Sequence, residues 1–218
     1  MILDKIKKAC SFVTNEILAE DEEGKKIVVI DPSALKDSAE PELDLRIIGL
    51  FTDVVEDKIA DLVHGLLYLD EYNKASKEEN RKPIKFYIST YGGSADDMFA
   101  LYDVMRTISE TSEIHTIGLG KVMSAGVLLL AGGTKGKRQI GKNCRVMIHS
   151  VMGGNGGSLH NMLNEMEAIE QLQKMYTDCL VAETKMTHKD VKKMLERKVN
   201  VYLSAEEAVE LGIADIIV

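Results

Sequence analysis

Residues 114–149 read IHTIGLGKVMSAGVLLLAGGTKGKRQIGKNCRVMIH, and this stretch decides the fold class. It predicts a strand over Ile114–Leu119, a short apolar helix that begins at Ser124, and a buried strand over Arg145–Ile148. A strand, a helix and a further strand in this order form a right-handed crossover, which places the two strands parallel in one sheet. The stretch therefore predicts an α/β fold, with helices packed on a largely parallel sheet.

The same alternation continues on both sides of this stretch. Strands are predicted over residues 46–51 and 84–89, and helices over residues 56–77, 95–108 and about 159–184. Residues 1–45 differ, because an amphipathic helix over residues 2–20 precedes a short strand over residues 27–30 and a loop that contains Pro32 and Pro41. We interpret the chain as an N-terminal extension, residues 1–45, followed by one α/β domain, residues 46–218.

Composition limits the possible functions. The 35 acidic side chains outnumber the 27 Lys and Arg residues, which argues against a nucleic-acid surface. No apolar run is long enough to span a membrane or resembles a secretory signal. The three cysteines are widely spaced and odd in number, so they predict neither a disulfide framework nor a metal site. We expect a cytoplasmic protein in a reducing compartment, without a bound metal.

Ser124 and His149 are the candidate catalytic residues. Ser124 stands between a strand and an apolar helix, where free backbone N–H groups favour developing negative charge. The alternative is that its hydroxyl only caps the helix. His149 ends a buried strand, and the near-neutral pKa of histidine suits removal of a hydroxyl proton. The other four histidines have no comparable surroundings, and we assign them no role: His64, His115, His160 and His188.

Two groups of glycines are further candidates for the site. Gly92 and Gly93 follow a strand, where they allow close approach of a substrate and can point an amide at a carbonyl oxygen, although a tight turn alone would also require glycine. The N–H groups of Gly93 and Ala125 are the natural donors to the oxyanion that attack by Ser124 would create. The glycine-rich segment 153–157 is a candidate edge for an extended peptide, with a flexible hinge as the alternative.

These segments together resemble the proteolytic subunit of the Clp protease family. The matching stretches are IIGLFTDVVED (47–57), FYISTYGGSADDMFALYD (86–103), GLGKVMSAGVLLLAGG (118–133), KGKR (135–138), RVMIHSVMGG (145–154) and YLSAEEAVELGIAD (202–215). The resemblance implies a crotonase-like fold of repeated β-β-α units, with a long protruding helix over about residues 159–184.

The resemblance also implies a serine endopeptidase that acts on unfolded polypeptides. Ser124 becomes the nucleophile, His149 the base, and Gly93 and Ala125 the oxyanion donors; substrate-binding positions are Gly92, Ser94, Met123, Gly153 and Gly154. The implied assembly is two stacked heptameric rings that meet through the long helix. An ATP-driven AAA+ unfoldase would feed it, so the chain itself needs no cofactor.

The chain departs from the family at two places. Asn200 stands where the family has the third catalytic residue, an aspartate, and Glu196 is a less favoured acidic substitute. Asparagine can orient the imidazole but cannot stabilise its positive charge, so we expect weak or assembly-dependent activity. Residues 1–45 lack the usual N-terminal loop and first helix, which leaves pairing with a standard unfoldase open.

Three alternatives to an active Clp-type peptidase are considered. The first is a crotonase-like enzyme that handles acyl-CoA, but the chain offers no recognisable acidic acid–base site. The second, which Asn200 supports, is a structural or regulatory ring subunit with little catalysis of its own. The third is a membrane-bound signal-peptide peptidase of related fold, which the lack of an apolar anchor disfavours.

Overall fold

The computed structural model describes residues 18–20, 26–28, 45–154, 156–196 and 199–218. The chain divides into two compact units after Leu45. In the first unit, strand β1 (Leu18–Glu20) pairs antiparallel with strand β2 (Lys26–Val28). The helix predicted over residues 2–20 is therefore wrong at its last three residues, because their backbone bonds to a neighbouring strand. Residues 2–17 lie outside the described part.

The second unit alternates strands and helices along most of its length. Its elements are β3 (Ile47–Leu50), α1 (Glu56–Ala75), a 3₁₀ turn (Glu78–Asn80), β4 (Ile84–Thr90), α2 (Ala95–Ile108), β5 (Ile114–Met123), α3 (Ala125–Ala131), β6 (Gln139–Ile140), β7 (Arg145–Ile148), α4 (Leu159–Glu183), α5 (His188–Leu195), β8 (Val201–Leu203), α6 (Ala205–Glu210) and β9 (Ile216–Ile217).

The sheet of this unit is parallel except at one edge. Strands β3, β4, β5, β6 and β9 are neighbours in that order, and all of these pairs are parallel. Strand β7 pairs in parallel with the end of β5, and β8 pairs antiparallel with β7. The predicted α/β class with a largely parallel sheet is confirmed.

Strand β5 is longer than the sequence predicts and serves two neighbours. Its middle pairs with β6 at Ile117 and Gly118, and its end pairs with β7 from Lys121 to Met123. Gly120 lies between these regions with φ at 65°, which marks a local distortion of the strand. The predicted end at Leu119 is wrong, because the chain continues in the sheet beyond Gly120 and carries Ser124 to the sheet edge.

The core lies between the sheet and its helices. Every residue of α3 is buried, as the apolar sequence AGVLLLA predicts. Full burial of one such leucine side chain stabilises the fold by about 1.5–3 kcal/mol. Phe86 and Ile88 of β4 and Met105 of α2 are also completely buried within the same core. Burial of α3 fixes the position of the residue that precedes it, Ser124.

A charged pair ties the C-terminal edge of the sheet together. Asp215, just before β9, receives hydrogen bonds from Arg138 Nε at 2.8 Å and Arg138 Nη2 at 2.6 Å. Arg138, just before β6, is almost fully buried and also donates to the carbonyls of Ala131 and Glu183. One guanidinium thus joins the end of α3, the end of α4 and the final strand.

Candidate active site

Ser124 occupies a strained turn between β5 and α3. Within the described residues it is the one non-glycine residue with positive φ, at φ 53° and ψ −121°. Such a conformation costs about 1–3 kcal/mol and persists only where the surroundings enforce it. Here the Ser124 N–H donates to the Met147 carbonyl at 2.8 Å, and the Ser124 carbonyl accepts the Val127 N–H at 2.9 Å. Strain of this kind clusters at active sites, so the turn marks the Ser124 side chain as a functional candidate.

The Ser124 hydroxyl does not cap α3. Ser124 occupies the N-cap position, yet its side chain makes no capping hydrogen bond. By contrast, the hydroxyls of Ser94, Ser158 and Ser204 each accept a backbone N–H in the first turn of their helices. The capping alternative is therefore wrong for the Ser124 side chain, which remains available for chemistry.

His149 and Ser124 lie at the same edge of the sheet. Met123 of β5 pairs with Met147 of β7 in a parallel register, so the residues that follow these two strands emerge side by side. Both Ser124 and His149 line one cavity of about 260 Å³, together with Gly93, Ser94 and Ala125. The structure thus brings the predicted nucleophile, base and both oxyanion donors to one cavity.

Gly92 lies close to Ser124, and Gly93 lies close to Val54, with which it forms an isolated parallel bridge. The φ angles of the two glycines are 104° and 150°, a region that side chains disfavour. A Cβ on Gly92 would lie 2.6 Å from the Ser124 Cβ, and one on Gly93 would collide with the Val54 carbonyl. The bridge to Val54 uses the Gly92 carbonyl and the Ser94 N–H, so the Gly93 N–H takes no part in it. Only glycine fits here.

Asn200 precedes β8, the strand that pairs antiparallel with the strand before His149. Ile148 of β7 is registered with Val201 of β8, and continuing that register by one residue places His149 opposite Asn200. Glu196 instead ends α5, where its carboxylate lies 3.6 Å from the Lys192 ammonium group. The extended register therefore favours Asn200 over Glu196 as the partner of His149, although Asn200 is not among the residues that line the cavity, and its role as third catalytic residue stays a prediction.

Comparison with known proteins identifies the family of this chain. The sequence profile of the Clp protease family matches residues 33–218. The chain belongs to the Clp protease family. It is also 33% identical over 172 residues to the ATP-dependent Clp protease proteolytic subunit 1 of Prochlorococcus marinus subsp. pastoris, covering 79% of this chain and 83% of that relative. The resemblance described from the sequence is confirmed, and it supports a Clp-type serine peptidase over an acyl-CoA enzyme.

The other residues that the Clp resemblance implies for substrate binding lie at different places. Ser94 lines the cavity and caps α2. Gly92 instead lines an adjoining open groove. Met123 is nearly buried at the end of β5, and Gly153 packs against Ile169 of α4, while no atom of the described residues beyond its chain neighbours lies within 4 Å of a Cβ built on Gly154. Met123, Gly153 and Gly154 are outside the lining of both depressions, and their roles stay predictions.

An apolar wall of the cavity was not predicted from the sequence. It is formed by Met98 and Phe99 of α2, Leu172 and Tyr176 of α4, and Val151 and Met152 after β7. Helical periodicity indicates that α2 and α4 have apolar faces, but it does not show what those faces contact. In this Clp family member, α4 also fixes the backbone of the site: Tyr176 donates to the Ser124 carbonyl at 3.1 Å, and Gln173 accepts the Val151 N–H at 3.2 Å.

Three further features bear on the sequence predictions. Cys144 and Cys179 are free thiols, and burial raises the pKa of Cys144 to about 11; Cys10 lies outside the described residues. Across residues 45–154, 156–196 and 199–218, no group of three or more His, Cys, Asp or Glu side chains could hold a metal ion. None of the described helices has the length and apolar character needed to cross a membrane.

Proposed function

We propose that the chain is a serine endopeptidase subunit that hydrolyses peptide bonds of unfolded polypeptides. One observation carries this proposal: the strained Ser124 places an uncommitted hydroxyl in the cavity that His149, Gly93 and Ala125 also line. A nucleophile, a base and two backbone donors at one cavity are the elements that acyl transfer to serine requires.

The mechanism follows from these positions. His149 removes the proton from Ser124 Oγ, which attacks the peptide carbonyl, and the resulting oxyanion accepts hydrogen bonds from the Gly93 and Ala125 N–H groups. Protonated His149 then gives its proton to the departing amine, which leaves an acyl-serine. In the second half, His149 activates water, the acyl group leaves as a carboxylic acid, and Ser124 regains its proton. Asn200 orients the imidazole by accepting a hydrogen bond from a ring N–H.

Assembly is part of the proposal. Four apolar side chains on one side of α4 are exposed in the single chain: Leu159, Met162, Leu163 and Met166. An exposed apolar face of this kind favours contact with another protein surface. We propose that it joins two heptameric rings into a chamber, and that a separate AAA+ unfoldase uses ATP to feed it. The relative's name, which includes "ATP-dependent", supports this division of labour. The proposed location is the cytoplasm.

A second candidate function is a weakly active or inactive subunit of a mixed Clp ring. Extending the register of β7 and β8 by one residue puts Asn200, rather than a carboxylate, opposite His149. In addition, no hydrogen bond joins the Ser124 hydroxyl to the His149 ring among the contacts of the described residues. Hydrogen bonds of this kind often form only in the substrate complex, so their absence in the free chain does not exclude catalysis.

Labelling of the native assembly with a fluorophosphonate, followed by mass-spectrometric mapping, tests the proposal. We expect the adduct on Ser124 and none in Ser124→Ala. Ser150→Ala is the matched control, because Ser150 follows His149 directly in the chain and also lines the cavity. An adduct on a different residue would contradict the site assignment, and an unlabelled serine in a well-formed ring would support the second candidate.

A further inference from the structure

The Tyr176 hydroxyl holds one particular peptide group of the site. It donates to the Ser124 carbonyl oxygen at 3.1 Å, although the two residues are 52 positions apart. The same carbonyl also accepts the Val127 N–H at 2.9 Å. This carbonyl belongs to the peptide between Ser124 and Ala125, whose N–H is one of the two proposed oxyanion donors.

Peptide geometry couples the Ser124 carbonyl, which Tyr176 holds, to the Ala125 N–H, which is proposed to bind the oxyanion. A trans peptide is planar, so its C=O and N–H groups point in opposite directions, and fixing one fixes the other. Rotation of this peptide would change ψ of Ser124, which already has an unfavourable conformation at φ 53° and ψ −121°. A hydrogen bond to the carbonyl therefore stabilises the orientation of the Ala125 N–H and opposes relaxation of the strained turn.

We propose that Tyr176 is a positioning residue: its hydroxyl orients the Ser124–Ala125 peptide so that the Ala125 N–H donates to the oxyanion. The inference rests on the proposed peptidase function and deepens it. Tyr176 does not touch the reacting atoms in this role and acts through the peptide it holds.

The surroundings of Tyr176 suit this task. Its side chain is 5% exposed, and burial raises the pKa of its hydroxyl, so the group stays protonated and remains a donor. One helical turn earlier, Gln173 holds the Val151 N–H, which follows the His149 strand. Helix α4 is thus attached both to the peptide after the nucleophile and to the segment after the base.

Tyr176→Phe removes one oxygen atom and retains the ring. Because a single hydrogen bond is lost while the Val127 bond to the carbonyl remains, we expect kcat for a fluorogenic peptide to fall about 3- to 10-fold with KM nearly unchanged. Inhibition by a peptide boronic acid, whose tetrahedral adduct needs the oxyanion donors, should weaken by a similar factor. Binding of an uncleavable peptide of the same sequence should not change.

Tyr102→Phe is the matched control. Tyr102 is also a buried tyrosine, and its hydroxyl donates to Glu183 at 2.8 Å, outside the candidate site. This variant should retain the kcat and boronic-acid affinity of the wild type. All rates are expressed per active serine, counted by titration with the fluorophosphonate, so that incomplete folding of a variant does not alter the comparison.

The outcomes separate the two proposals. Wild-type Ser124 that labels, with Tyr176→Phe unchanged in kcat and boronic-acid affinity, overturns the positioning role alone. An equal loss in Tyr102→Phe also overturns it, since any buried tyrosine hydroxyl would then have the same effect. Wild-type Ser124 that fails to label overturns the proposed function and, with it, this inference.

Discussion

At the scale of single residues, the strain at Ser124 can be measured as stability. Glycine tolerates φ 53° far better than any residue with a Cβ, so replacement by glycine should relieve the turn. We expect Ser124→Gly to have a free energy of unfolding about 1 kcal/mol higher than Ser124→Ala, after the greater freedom of glycine in the unfolded chain is subtracted. Urea denaturation of both variants checks this.

Neither variant should react with the fluorophosphonate, because both lack the hydroxyl. Ser124→Ala is the proper reference, since it loses the same hydroxyl and retains the strain. Equal stability of the two variants, or lower stability of the glycine variant, would show that the turn is not strained in the folded protein.

Asn200→Asp tests the proposed role of Asn200 in orienting the imidazole of His149. A carboxylate would stabilise the imidazolium that forms during attack, and loss of this group in a chymotrypsin-type protease lowers turnover by about 10⁴-fold. We therefore expect Asn200→Asp to raise kcat for a fluorogenic peptide by about 10-fold or more. Asn80→Asp adds the same charge on the exposed 3₁₀ turn and should leave kcat unchanged. Unchanged or lower turnover in Asn200→Asp would mean that Asn200 does not orient His149.

At the scale of elements, the Arg138–Asp215 pair holds the last strand against the sheet. Burial opposes ionisation of Asp215, but hydrogen bonds from the Arg138 side chain and backbone hold the pKa of this carboxyl below its ordinary value. A depressed folded-state pKa adds stability at neutral pH that is lost as pH falls through the carboxyl range. Asp215→Asn should reduce the free energy of unfolding by about 2–4 kcal/mol at pH 7, because Arg138 stays buried without its partner.

The difference between this variant and the wild type should shrink on acidification below about pH 4, where the wild-type carboxylate begins to take up a proton. Asp178→Asn is the control: its carboxylate pairs with Lys174 and His188 on the exposed surface of α4 and α5, where such pairs contribute less than about 1 kcal/mol. A loss in Asp215→Asn no larger than in this control would contradict the proposed role of the pair.

Most elements around the site follow from the sequence, and the exceptions have physical reasons. Helix α2 and strand β7 have the predicted ends. Strands β6, β8 and β9 are only two or three residues long, too short for an alternating pattern to emerge. Helices α5 and α6 were missed although each carries a signal, the capping boxes Thr187 with Asp190 and Ser204 with Glu207.

Some residues of the candidate site can likewise be predicted from the sequence, and others cannot. Ser124, His149 and Gly93 follow three strands of one sheet, so strand order alone predicts that they meet at its edge. Tyr176 and Gln173 reach the site from α4, and the position of a long helix across a sheet depends on packing between distant segments. The sequence pattern of α4 shows an amphipathic helix and does not reveal the hydrogen bonds to Ser124 and Val151.

At the scale of the whole molecule, the apolar face of α4 should control assembly. Met166→Glu places a charge among Leu159, Met162 and Leu163, which a contact between rings would have to bury at high cost. We expect native mass spectrometry to show single rings in place of stacked pairs. Gln171→Glu adds a charge elsewhere on the same helix and should leave the assembly intact. Stacked rings in both variants would show that this face is not the contact.

The hydrogen bond from the Ser124 N–H to the Met147 carbonyl has a consequence for inhibitor design. It joins the segment that bears the attacking oxygen to the strand that precedes the imidazole, so the backbone fixes the relative position of these two groups. Compounds directed only at that centre will meet much the same geometry in other enzymes that use serine and histidine. Selectivity should instead come from contacts with the apolar wall of the cavity, which includes Tyr176, Leu172 and Met152.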